Sequence, residues 1–187
     1  MARAWERAYG SNMTSTQLSA IQGDITEYDG DAVVNAANPR LAGGGGVDGA
    51  IHRAGGPSIL EECRRWVAEN GLLPTGAAMA TGGGDLPVRK VIHTVGPIWD
   101  DHDPHTARDL LASCYRASLL LATRHDCSRV AFPNISTGVY GFPKQEAAEV
   151  AVTTVTDWVN TEEALEEVVF VCFSEENLEI YSGLLGV

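Results

Sequence analysis

Val33-Val34-Asn35-Ala36-Ala37-Asn38, followed by Gly43-Gly44-Gly45-Gly46-Val47-Asp48-Gly49-Ala50-Ile51-His52, is the stretch from which the fold can be read. A short apolar run from Ala32 to Asn35 gives way to polar residues, and a helical pattern begins after Val47. Strand, glycine loop and helix in immediate succession describe an α/β unit. Four consecutive glycines cost backbone entropy on ordering, so their place in this unit points to positive φ or to close approach of the backbone to a ligand. Backbone N–H groups converging ahead of a helix form an anion site. The loop lacks the Gly-Lys-Ser/Thr ending of a triphosphate loop, so transfer of a γ-phosphate is not indicated. A flexible linker is the competing reading of the glycines, and the flanking strand and helix count against it.

The same alternation extends to both sides. Leu18 to Gln22, Ala32 to Asn35, Ala77 to Thr81, Val88 to Val95, Val130 to Pro133 and Val168 to Phe173 read as six strands. Several are almost continuously apolar, which suits a sheet covered on both faces. Pro57 to Asn70, Thr106 to His125, Pro143 to Asn160 and Glu175 to Leu185 carry apolar residues at helical spacing, with first-turn prolines at Pro57 and Pro143 and Gly71 just past a helix end. Strands alternating with helices predict one three-layer α/β/α domain over residues 17–187. The acidic run Glu162 to Glu167 reads as a solvated loop or helix end. Residues 1–16 read as a poorly ordered tail, native or added. They lack the apolar core of a secretory signal, and a cytoplasmic protein is expected.

Thirteen basic against twenty-five acidic residues leave a net charge of -12. Such a surface repels polyanions and makes nucleic acid an unexpected partner. The four cysteines form no C-x-x-C pair, which removes a zinc ribbon or a redox motif; buried or free thiols are expected. Two further loops follow strands, where ligands of α/β sheets bind. In Gly23-Asp24-Ile25-Thr26, Asp24 could cap a helix or accept from an exocyclic amine. In Asn134-Ile135-Ser136-Thr137-Gly138-Val139-Tyr140-Gly141-Phe142-Pro143, glycines open more amides, Ser136 and Thr137 add hydroxyls, and Tyr140 or Phe142 supplies an aromatic wall. Neither glycine loop has a cation at its centre; Arg40, Arg53 and Lys144 lie at the margins. An acidic protein can therefore hold a dianion with neutral amides and a helix N-terminus.

Together these segments resemble the macrodomain family, and within it the MacroD-type hydrolase branch. The resemblance runs from about residue 19 to 185 and rests on VNAANP (34–39), GGGGVDGAIHRAGGP (43–57), PTG (74–76), HTVGPIW (93–99), FPNISTGVYGFP (132–143) and VVFVCFSEENLEIY (168–181). It implies a central mixed, mostly parallel six-stranded sheet and an ADP-ribose ligand. Asp24 is then expected on the adenine amino group, with a backbone contact from Ile25, and Phe173 against the adenine, unless Phe173 is plain core. Gly44, Gly45, Gly46 and Val47, with Ser136, Thr137, Gly138, Val139 and Tyr140, would cradle the diphosphate and distal ribose. Asn38 would hydrogen-bond that ribose. Asp48 would position or activate water, a role the ligand's phosphate could share, and Tyr140 would wall the reacting end. His52, one helical turn after Asp48, would lie on the same face, as a catalytic partner or as a packed histidine.

The implied activity is hydrolysis of an ester at the distal ribose, from O-acetyl-ADP-ribose or from proteins carrying ADP-ribose on Asp or Glu. A non-catalytic ADP-ribose reader and a regulatory protein-interaction module are the alternative readings. No cofactor, no metal, no membrane partner and a monomer are expected. One departure from the family pattern is Asn134, where alanine is more usual; its amide is expected near the ribose end, where it could alter substrate preference.

Overall fold

The structure is a computed structural model that describes residues 15–162 and 164–187. Most of the expected tail, residues 1–14, lies outside the described residues; at its end the Thr16 hydroxyl donates to Leu165 O at 2.8 Å. Six strands, β1 (Gln17–Gln22), β2 (Ala32–Ala36), β3 (Ala78–Gly82), β4 (Lys90–Thr94), β5 (Arg129–Phe132) and β6 (Glu167–Cys172), form one sheet in the order β1-β6-β5-β2-β4-β3. Every neighbouring pair is parallel except β3 with β4, so the sheet is mixed and mostly parallel, as the resemblance implies.

Helices α1 (Gly46–Gly55) and α2 (Pro57–Asn70) cover one face; α3 (Pro104–Arg124), α4 (Lys144–Thr161) and α5 (Glu175–Leu185) cover the other. Alternation along the strands feeds two cores. Val168, Phe170 and Cys172 enter the layer with Leu111, Tyr115, Val155 and Tyr181, while Val169 and Val171 enter the layer with Ile51, Ile59 and Cys63. All four cysteines are buried and free. No described helix is long and apolar enough to cross a membrane.

Most boundaries shift by one or two residues from the sequence reading, and three of the shifts have a visible cause. Helix α3 starts at Pro104, two residues early, because Asp103 caps it by accepting from the amides of His105 and Thr106, both at 3.1 Å. Strand β4 is shorter than Val88 to Val95, since Pro87 and the turn before it leave Val88 packed but unladdered. Glu167 belongs to β6 rather than to a solvated loop: its carboxylate accepts from Tyr28 Oη at 2.8 Å and from Arg129 Nε at 3.3 Å. Asp31 ties the other side of this region, accepting at Oδ2 from the amides of Ser128 (2.9 Å) and Arg129 (3.0 Å).

Candidate functional site

A cleft of about 840 Å³ opens at the carboxyl ends of the parallel strands, where α/β sheets place their ligands. Its walls come from the loops after β1, β2, β5 and β6 and from the first turn of α1. Asp24, Ile25, Asn38, Gly44 to Asp48, Ser136 to Tyr140 and Phe173 all line it. His52 does not. It packs beneath the glycine loop, with Nε2 3.4 Å from Asp48 Oδ1 in a pair not aligned for a hydrogen bond. One helical turn brought it to Asp48 but not to the cleft, so any part it takes acts through Asp48 rather than on a ligand.

The glycine loop has the shape that its composition suggests. Gly43 and Gly46 hold φ of 76° and 55°, a region that side chains resist. Gly45 caps α1 with no side-chain hydrogen bond, so the first N–H groups of the helix have no side-chain partner at the cap. A Cβ on Gly49 would overlap Gly44 O, so only glycine there lets the loop lie down on the helix. Asn38 closes the loop from below, donating from Nδ2 to Gly43 O at 2.9 Å.

Asp48 is 6% exposed. Its Oδ1 accepts from Asn35 Nδ2 at 2.8 Å, and its Oδ2 lies toward Gly44 on the loop side. Asn35 uses its other Nδ2 hydrogen on His93 Nδ1, at 3.0 Å. That leaves Nε2 as the protonated nitrogen of His93, donating to Thr81 Oγ1 at 3.0 Å, which in turn donates to Gly82 O at 3.0 Å. Burial, assisted by His52, lowers the pKa of His93 to about 3, so the ring is neutral and this tautomer persists. The relay exists because β2 and β4 are paired in a register that sets Asn35 against His93. Neither residue was assigned a role from the sequence, although a polar residue inside an apolar strand was a visible signal for both.

The second loop closes the opposite wall. Ser136 adopts φ 65° and is buried, and its hydroxyl has no hydrogen-bond partner among the described residues. Gly96 makes this possible, since a Cβ there would overlap Ser136 Oγ and Ile135 Cγ2. Burial first, and then the Asp48 charge, raise the Tyr140 phenol above its ordinary range, so it stays a neutral hydroxyl beside the carboxylate. At the far end Phe173 is 88% exposed, which removes the plain-core reading. Asp24 caps the short helical turn at Ile25–Glu27, its Oδ1 accepting from Thr26 N at 2.9 Å, and it also lines the cleft. Asn134, Asn177, Arg53 and Lys144 also line the cleft, and Lys144 is paired with Glu176.

Among the described residues, His52, Cys63 and His93 have ligating atoms within 4.8 Å of one another. Both ring nitrogens of His93 are committed to the relay, and burial, with Asp48 and Glu62 adding to it, pushes the Cys63 thiol up to about 12. A metal would have to displace those bonds.

A family model described as Macro domain matches residues 34–151. A macro domain-containing protein of Listeria monocytogenes is 53% identical over 172 residues, covering 91% of this chain and 97% of its own length. A Klebsiella pneumoniae protein named O-acetyl-ADP-ribose deacetylase is 53% identical over 172 residues, covering 92% and 98%. The Oceanobacillus iheyensis macrodomain solved with ADP superimposes with a TM-score of 0.88 at 44% identity, covering 94% of this chain and 93% of that one. The sheet order, the cleft at its carboxyl edge and these matches place the chain in the macrodomain family.

Proposed function

We propose that the protein binds ADP-ribose across the strand ends and hydrolyses an ester on its distal ribose. The observation that carries the reading is Asp48: a carboxylate held at the head of α1, with one oxygen tied to Asn35 and the other toward the glycine loop. Phe173 and Asp24 offer a flat apolar face and an acceptor for an amino-purine. The two glycine loops offer amides to a diphosphate, and Asn38, Tyr140 and Asp48 surround the far sugar. The name O-acetyl-ADP-ribose deacetylase carried by the Klebsiella relative, and the ADP-ribose complex of the Trypanosoma brucei macrodomain at TM-score 0.83 and 38% identity, covering 94% of this chain and 72% of that one, support that ligand and that reaction.

In this reading, water held by Asp48 attacks the ester carbonyl carbon and gives its proton to the carboxylate or to the adjacent phosphate. The bond from that carbon to the ribose oxygen breaks, the oxygen takes that proton back from the base and leaves as a hydroxyl, and a carboxylic acid and ADP-ribose are released. The same step serves an acetyl group and a protein Glu or Asp side chain, because both are esters of one sugar.

The test is release of acid and ADP-ribose from O-acetyl-ADP-ribose and from a glutamate-linked mono-ADP-ribosylated protein, followed by mass spectrometry. Asp48→Ala is expected to keep ADP-ribose binding and to lose turnover by about 10²–10⁴-fold, the scale of general-base assistance. Binding without release by the unaltered protein would make it a reader and end the hydrolase proposal.

A further inference from the structure

The sheet order lays out a ruler along the cleft. Asp24 follows β1, Phe173 follows β6, Asn134 follows β5 and Asn38 lies just past β2, and these four strands are neighbours in that order. At roughly 4.8 Å per strand, the line from the first end to the last is roughly 14 Å. A base, a ribose, a diphosphate and a second ribose laid along that line bring the first ribose to the boundary of β6 and β5. That boundary carries two carboxamides.

Asn177, in the first turn of α5, is 8% exposed and donates from Nδ2 to Asn134 Oδ1 at 3.0 Å. Asn134 Nδ2 turns inward to Cys172 Sγ at 3.7 Å, which sets the orientation of its carboxamide. Both residues line the cleft. After these bonds Asn177 still has a second Nδ2 hydrogen and its Oδ1, and Asn134 has a second lone pair on Oδ1. The pair therefore offers donor and acceptor side by side.

We infer that Asn134 and Asn177 form a subsite for the vicinal diol of the adenosine-side ribose, reading its 2′ and 3′ hydroxyls. A ribose hydroxyl both donates and accepts, as a carboxamide does. A phosphate monoester in its place mainly accepts and carries up to two negative charges, and the lysine lining the cleft, Lys144, is already paired with Glu176. The subsite accordingly prefers a free diol to a 2′-phosphate. The strand order puts Asn134 inside the cleft, two strands from β1 and one from β2, so its influence falls on the first sugar and not on the ester. This inference rests on the ligand orientation proposed above.

Calorimetric titration of the unaltered protein with ADP-ribose, with its adenosine-side 2′-deoxy and 3′-deoxy forms and with its 2′-phosphate tests the subsite from the ligand side, with no folding risk. Each lost hydrogen bond is expected to weaken binding about three- to tenfold, and the 2′-phosphate to bind more weakly than the parent. Asn134→Ala and Asn177→Ala should weaken ADP-ribose by a similar factor while erasing the difference between parent and deoxy ligands, as coupled partners do in a double-mutant cycle. Equal binding of ADP-ribose and both deoxy forms by the unaltered protein overturns the subsite while leaving the ADP-ribose reading intact. Failure of the unaltered protein to bind ADP-ribose at all overturns the orientation and the subsite together.

Discussion

His93 never touches the cleft, yet it decides which way Asn35 points and so which group meets Asp48. Its neutrality has a cost that can be measured. The folded ring titrates near about 3 and an unfolded one near 6.5. Between those values the unfolded chain binds the proton and the folded chain does not, so stability is full above pH 6.5 and falls as pH drops toward 3. Urea unfolding at pH 6.5 and pH 5 should show a loss of about 2 kcal/mol from this group, and His93→Gln should flatten that part of the slope whatever its own starting stability. Phe173 is the opposite case. Being 88% exposed, it contributes little to the fold, so Phe173→Ala should leave the melting temperature nearly unchanged while weakening ADP-ribose binding on the order of tenfold, the scale of base stacking. An equal loss of stability and affinity would deny it a place against the base.

At the level of elements, the site depends on loops pressed against regular structure. The glycine run lies on α1 through Gly49, and the second loop lies against the segment after β4 through Gly96. Gly96→Ala would force Ser136 and Ile135 aside while leaving the strands paired. The expected result is affinity for ADP-ribose reduced at least tenfold with far-ultraviolet circular dichroism unchanged, since about 1.4 kcal/mol of misplaced contacts suffices for that factor. Unimpaired binding by this variant would separate Ser136 from the ligand. Helix α1 carries two duties, presenting its N-terminal amides to the cleft and Ile51 to the core. This is why Asp48, in its first turn, is both buried and directed at the site.

The whole molecule is acidic, with a net charge of -12, and the dianionic ligand proposed above would approach it against that field. On that proposal, fixed amide dipoles at short range, rather than arrays of lysine and arginine, supply the affinity. Raising salt from about 0.05 M to about 0.5 M shortens the screening length from roughly 14 Å to roughly 4 Å, which weakens the repulsion without touching close hydrogen bonds. Affinity for ADP-ribose is expected to hold or rise, with any gain in the association rate measured by stopped flow. A loss of tenfold or more would mean that Arg53 and other cations carry the binding.

Most of the architecture was legible along the chain, because apolar periodicity and glycine placement are local properties: six strands, the main helices, and the loops of Gly43 to Gly46 and Ser136 to Tyr140. That Asp48 and Asn38 belong to the cleft was an expectation of the family resemblance rather than of periodicity, and both line it. What only the tertiary structure decided lies where distant strands meet. Asn35 faces His93 through the pairing of β2 with β4, and Asn134 meets Asn177 across 43 residues at the end of the β5 and β6 pair. His52 sits one helical turn from Asp48, yet the fold turned it under the loop rather than into the cleft. Phe173, one residue past the end of β6, escapes a core that its neighbours fill. Periodicity tells which residues share a face of their own element; register and the point where a strand ends tell what that face meets.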